Sequence, residues 1–173
     1  MNIDPGINFN LVGLPDSAVK ESQQRIEAAL TNNGLKYPGK RILVNMAPAD
    51  IRKEGPLFDL PIAVGILFAS GQIKADFSEM IFIGELALDG NLRPISGVLS
   101  VCEMALKKGF KKLFLPKSNL AEARILEGLE VFPLESLKEL IDHFAGTGAV
   151  TSVSSGGVIS DGDDLVFQYD FAV

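Results

Sequence analysis

Hydrophobic and polar positions change period several times along the chain, and each change marks an element. Residues 8–12 alternate, with Phe9 and Leu11 opposed to Asn8 and Asn10, which predicts a half-buried strand. Gly13-Leu14-Pro15 then turns the chain. Asp16 is placed to cap a helix running to about Asn33, because Ala18, Val19, Ser22, Ile26, Ala29 and Leu30 recur at three- and four-residue spacing. Lys20, Gln23, Gln24 and Glu27 fall on the water side, and Gly34 follows where helices commonly end. Arg41 to Met46 reads as an apolar strand. A charged loop punctuated by Pro48, Gly55 and Pro56 leads to a helix that Asp59 is expected to cap, with Pro61 in its first turn, where a missing N–H costs little. From Ile62 to Ala69 every residue is apolar or Gly, so this helix is expected to be buried on nearly all sides.

Gly71 stops that helix. Met80 to Leu88 reads as a strand, and Asp89-Gly90-Asn91 is a hairpin signal. The returning arm, Leu92 to Ile95, contains Pro94, which places it at a sheet edge. A helix follows from Val98 to Lys108, with Val98, Val101, Cys102, Ala105 and Leu106 inward and Gly109 closing it. Leu113 to Leu115 and Glu130 to Pro133 are short strands. Between them Asn119 is expected to cap a helix to Leu126. Ser136 caps the last helix, whose inner face is Leu137, Leu140, Ile141 and Phe144. Alternating helix and strand favours parallel pairing in this half, with an antiparallel hairpin at 80–95. The expected class is α+β (mixed α/β): a two-layer sandwich of a mixed sheet with helices packed on it.

From Ala145 to Asp164 the helical period disappears into Gly, Ser, Thr, Val and Asp, the composition of a flexible linker. Leu165 to Val173 regains apolar and aromatic residues. The expected organisation is therefore one domain over 1–144 and a linker over 145–173. The net charge of −6 is uneven, since the stretch after Phe144 holds four Asp and no Lys or Arg, leaving −2 for the body. A strongly basic nucleic-acid footprint is absent, so any such contact needs a local patch. Lys107, Lys108, Lys111 and Lys112 around Gly109 are the candidate, although no aromatic residues interleave as a stacking platform. The single cysteine, Cys102, excludes an internal disulfide, and one His with one Cys cannot build a zinc site. With no long apolar run and no signal-peptide pattern at Met1, a cytoplasmic protein without membrane contact is expected.

Four strings carry a family resemblance: Leu11-Val12-Gly13-Leu14-Pro15-Asp16-Ser17-Ala18-Val19-Lys20-Glu21-Ser22, Val44-Asn45-Met46-Ala47-Pro48-Ala49-Asp50, Lys53-Glu54-Gly55-Pro56-Leu57-Phe58-Asp59-Leu60-Pro61, and Gly84-Glu85-Leu86 with Leu92-Arg93-Pro94-Ile95-Ser96-Gly97. In this order, over Ile7 to Phe144, they resemble the N-terminal domain of the magnesium-chelatase-like AAA+ ATPases of the ComM type, the competence-related branch-migration helicases. The resemblance implies a fold shared with the Lon proteolytic domain and with a ribosomal-protein domain 2. It also implies earlier strands ahead of Ile7 and an AAA+ module after the linker. For the full-length protein it implies ATP and magnesium as cofactors and neighbouring subunits in a ring, a hexamer, working on DNA. No Gly-x-x-x-x-Gly-Lys-Ser/Thr occurs in this chain, so no cofactor is expected here.

A Lon-type peptidase needs a Ser nucleophile and a Lys held neutral by burial. The resemblance places those positions at Leu57 and Leu99. An alkyl group has neither a nucleophilic lone pair nor a basic site, so this mechanism is lost. Lys53 with Asp50 and Glu54 leaves a rival hydrolase reading, a Lys–carboxylate site, against which the same residues are solvated loop charges setting the loop conformation, or interdomain contacts. Asp16 is a helix cap, Lys20 and Glu21 face water or a neighbouring subunit, and Asn45 and Asp50 hold loop amides. Gly55 and Asp59 complete the family-motif loop. The lone His143, near a helix C-terminus, favours the helix dipole without a catalytic part.

Overall fold

The computed structural model describes residues 9–48 and 50–154. The alternating segments form strands where expected: β1 (Phe9–Val12) and β2 (Ile42–Asn45) pair in parallel, Phe9 opposite Ile42 and Val12 opposite Asn45. Phe9, Leu11, Ile42 and Val44 face the core, while Asn10, Val12, Leu43 and Asn45 face out. The segment after Asp16 is not one helix but two, α1 (Ser17–Lys20) and α2 (Ser22–Asn32), separated at Glu21. The organising helix is α3 (Asp59–Ala69), which a 3-10 turn at Pro56–Phe58 feeds.

The expected strand from Met80 to Leu88 divides. β3 (Met80–Phe82) joins the main sheet, whereas β4 (Glu85–Leu86) pairs antiparallel with β5 (Leu92–Arg93) across the Asp89-Gly90 turn. The division falls at Gly84, whose N–H donates to Leu57 O at 3.0 Å and whose carbonyl accepts from Leu60 N at 3.0 Å. Then come α4 (Val98–Lys107), β6 (Lys112–Pro116), α5 (Leu120–Ala123), β7 (Glu130–Leu134), α6 (Leu137–Ala145) and β8 (Val153–Ser154). The main sheet runs β3-β6-β7-β8, parallel except for its last pair. The latter half is thus parallel as its helix–strand alternation requires. β8 is a correction: residues 153–154 lie in the stretch read as linker, and the folded body extends to them. Residues 155–173, including the apolar segment from Leu165, lie outside the described residues.

One core cluster joins α2, α3 and α6 to the inner faces of both parallel sheets, and a second packs α4 and α5 against the other face. In the first, Phe82, Phe114 and Phe132 occupy one register across β3, β6 and β7, and their rings stack at 4.8 and 4.4 Å. Cross-strand aromatic pairs of this kind reinforce register as well as burial. The expectation of an α3 buried all round needs correction. Leu60, Ile62, Ala63, Val64, Ile66 and Leu67 are buried, but Gly65, Phe68 and Ala69 are exposed. No described helix is long and apolar enough to cross a membrane.

Candidate functional site

The motif loop is a clasp between the two ends of the β1–β2 unit. Gly13, at φ 111°, passes so close to β2 that a Cβ there would overlap the Met46 carbonyl oxygen. Leu14 follows in the left-handed region at φ 54°, and its side chain is 54% exposed. Residues 14–16 then align with residue 53: Lys53 N donates to Leu14 O at 3.1 Å, and Asp16 N donates to Lys53 O at 3.0 Å. Asp16 caps α1 as its position suggests, accepting from Val19 N at 2.8 Å. Its second oxygen accepts from Gly55 N at 3.0 Å. The Val19 bond is the main reason its carboxyl titrates below the usual value; the Gly55 bond and Arg52 add to it and partial burial opposes.

Lys53 is the principal difference from expectation. It is 7% exposed rather than solvated, and among the described residues no ion pair joins it to a carboxylate, but it does set the loop conformation. Its ammonium donates to the Pro48 carbonyl and to the Ile51 carbonyl, the latter at 2.7 Å. A Lys bent back on its own loop ties two of that loop's carbonyls together through one ammonium. Asp50 and Glu54 are exposed, and Glu54 lies 3.3 Å from Arg52 rather than against Lys53. Asn45 and Asp50 are both exposed, and among the described residues neither side chain holds a loop amide. Lys20 is exposed, as is Glu21, whose carboxylate lies 3.8 Å from Arg25.

Asp59 does not cap α3. The helix starts at Asp59 itself after a Phe58 that offers no side-chain cap. Its carboxylate, 0% exposed, is gripped by Arg25 through Nε at 2.6 Å and Nη2 at 2.9 Å, and accepts from Leu86 N at 3.1 Å. A bidentate guanidinium outcompetes a first-turn amide for a carboxylate. Burial pushes the Asp59 carboxyl up while Arg25 and the Leu86 amide oppose, and the same contact holds Arg25 in its charged form. Sequence reasoning missed Arg25. The signal was present: Arg25 lies three residues after Ser22 and four before Ala29, on the same inner stripe.

Leu57, in the 3-10 turn, packs against the second core cluster, which includes Val98 in the first turn of α4. Leu99, one residue on, donates its N–H to Glu122 Oε1 at 3.1 Å. The buried Asn119 does not cap α5 either; it donates to Ile95 O at 2.8 Å and accepts from Ile95 N at 3.0 Å, fixing the Pro94-Ile95-Ser96-Gly97 turn. Cys102 is buried in this cluster, and burial with the nearby Glu122 pushes its thiol up, away from reactivity. His143 packs on Phe144, Phe132 and Phe114, at 5.2, 5.5 and 5.8 Å between ring centroids. Burial, reinforced by Lys112, lowers its pKa despite Glu130, which favours the neutral ring, and its Nδ1 accepts from Val150 N at 3.3 Å. The lowered pKa works against the charged, dipole-favoured state expected at a helix end.

Of the four lysines proposed for phosphate, Lys107, Lys108 and Lys111 are exposed, two of them beside a carboxylate. Lys107 lies 4.0 Å from Glu103 and Lys111 lies 2.5 Å from Glu79. Lys112 is half-buried with its ammonium 5.9 Å from the Phe132 ring, and Lys108 is exposed at the end of α4. At the starts of α3 and α4 two first-turn amides are already engaged. The Leu60 amide of α3 is given to Gly84 O, and the Leu99 amide of α4 already meets a carboxylate.

Residues 1–119 match the family model described as subunit ChlI of Mg-chelatase. The chain is 44% identical over 146 residues to the competence protein ComM of Haemophilus influenzae, covering 84% of this chain and 28% of that protein. It is 43% identical over 170 residues to the uncharacterized protein YifB of Escherichia coli, covering 95% of this chain and 33% of that one. It is 29% identical over 128 residues to Lon protease 2 of Bacillus subtilis, over 73% of this chain and 23% of the relative. The chain thus spans about a third or less of the relatives it matches, and with more than half its length within the family model it belongs to the Mg-chelatase ChlI-like family, in the company of ComM and YifB.

Proposed function

We propose that this chain is a non-catalytic organising domain of a longer ComM-type ATPase that drives DNA branch migration in natural transformation. The observation that carries the non-catalytic reading is the pair Leu57 and Leu99, alkyl groups at the two positions where the resemblance places the nucleophile and base of a Lon-type peptidase. The Lys53 clasp supports it, since an ammonium that donates to two carbonyls is not placed to take a proton from a substrate. ATP and magnesium belong, on this reading, to the longer protein's motor, and no step of their chemistry passes through these residues.

The organising role is assembly with a neighbouring subunit or the motor. Val12, Leu14, Leu43 and Ile51 are each at least 50% exposed. Val12 and Leu43 stand on the outer face of β1–β2 beside Asn10 and Asn45, a strip without a charged side chain, and charge depletion marks interface cores. Leu14 occupies a backbone region where Asn, Asp or Gly are less strained, yet it presents an apolar side chain to water. Sedimentation over a rising concentration series tests this, with Leu14→Asp and Ile51→Asp together as the control. Self-association abolished by the two substitutions supports assembly. A chain that stays monomeric but shows salt-sensitive anisotropy with labelled branched DNA, lost when Lys107, Lys108, Lys111 and Lys112 become Glu, would overturn it in favour of DNA guidance.

A further inference from the structure

A cleft of about 1180 Å³ lies between β2 and the exposed side of α3, above the roughly 300–1,000 Å³ of small-molecule pockets. Residues 42–47 all line it in succession. Side chains of one strand alternate between faces, so a cleft touching six consecutive residues runs along the strand's edge. Among the described residues β2 pairs only with β1, so the N–H and C=O groups of its far edge are left for another strand. The facing wall is Pro61, Gly65 and Ala69, a stripe of α3 whose small side chains leave room for a backbone. Tyr37, Phe58 and Ile66 add apolar contact. An unpaired edge on one side and an apolar wall on the other are the two halves of a site for an extended peptide.

Charge selects which peptide. The chain carries a net −6, yet the charged residues lining the cleft are Lys36, Lys40, Arg41 and Lys53, with no Asp or Glu. Lys36, Lys40 and Arg41 are exposed just ahead of β2, and Lys53, after it, is turned back on the Pro48 and Ile51 carbonyls. Among the described residues none of the four is ion-paired, whereas Lys107, Lys111, Lys117 and Lys138 each sit beside a carboxylate. Positive charge therefore flanks the open edge, and its middle, Ile42 to Asn45, is uncharged. We infer that the β2 edge takes an extended segment of a partner protein, apolar at its centre and acidic at its ends, as an added strand. A second copy presenting the same edge would set one cation-lined cleft against another, which complementarity disfavours. The inference goes beyond the assembly reading and does not rest on it, since Leu14 and Ile51 are not among the residues that line the cleft.

The probe is a fluorescein-labelled peptide, Asp-Asp-Val-Thr-Val-Thr-Val-Asp-Asp, whose side-chain order reads the same in both directions. Anisotropy against the full chain at moderate salt should show saturable binding. The same peptide with Lys at its ends should bind at least about tenfold more weakly, as should the Asp-ended peptide to a chain with Lys40→Glu and Arg41→Glu. A Cβ at Gly65 meets nothing within 4 Å, so Gly65→Leu projects into the cleft. It should abolish binding while the thermal midpoint stays in place or rises. A strand offers alternate N–H groups to its neighbour, so N-methylating the Val residues or the Thr residues should remove binding in one series and spare it in the other. Leu14→Asp with Ile51→Asp should leave binding intact, so a failure of the assembly reading does not carry this inference with it. No saturable binding overturns the inference. Binding that survives Gly65→Leu, or that both methylated series retain, is charge attraction alone and also overturns it. Amide exchange at Leu43 and Asn45 that slows as the chain alone is concentrated assigns the edge to a second copy, with the same result.

Discussion

The buried Arg25–Asp59 pair ties α2 to the start of α3 and, through the Leu86 amide, to β4. Replacing Arg25 with Met strands a fully buried carboxylate, and breaking a buried pair in this way costs about 3–5 kcal/mol. Replacing Asp59 with Leu strands a guanidinium whose side chain keeps 18% exposure and can relax toward water. It also orphans one amide, so the expected cost is about 1–3 kcal/mol. Doing both removes the stranded charges, and the double variant should lie closer to wild type than Arg25→Met alone. Urea unfolding measures this: with m about 1–3 kcal/mol/M, the Arg25→Met midpoint falls by about 1 M or more. The sign of the pH dependence adds a check. Without Arg25, burial raises the folded pKa of Asp59 above its unfolded value, so stability is retained below that value and lost as pH rises through the folded one. The Arg25→Met deficit should therefore be smaller at about pH 4 than at about pH 7. Strictly additive costs, or a deficit independent of pH, would refute the pairing argument.

Gly13→Ala should destabilise by more than the roughly 1 kcal/mol of an ordinary left-handed Gly replacement, because the added methyl overlaps the Met46 carbonyl; thermal melts check this. His143 has its folded pKa depressed, so its stabilisation is complete above its ordinary value near 6.5 and is lost as pH falls through the folded pKa. Urea midpoints of wild type should converge on those of His143→Gln between about pH 7.5 and about pH 5. Tyr37 is pushed up to about 12, mainly by burial with Glu27 adding, and the phenolate absorbance of a Tyr169→Phe variant should rise there rather than near 10.

Local signals were legible where a residue acts on its own neighbourhood. Asp16 and Ser136 cap the helices they precede, and Asp89-Gly90 turns the β4–β5 hairpin. The inner stripes of α4 and α6 fall where their spacing puts them. What the sequence hid was long-range competition. Asp59 and Asn119 have the chemistry of caps, but Arg25, 34 residues away, and the Ile95 backbone, 24 residues away, bind them more fully. Lys53 looked solvated because its partners are carbonyls, which every residue supplies and no composition reveals. β8 escaped notice because two residues added to an existing edge need no period of their own.

The most direct test of the organising-domain account is hydrolysis by the purified chain and by Lys53→Met, against unfolded protein and ester substrates. The account predicts no turnover above buffer for either, with Leu57 and Leu99 at the reactive positions. Turnover by the wild-type chain that disappears in a folded Lys53→Met variant would contradict it and establish a Lys-dependent hydrolase.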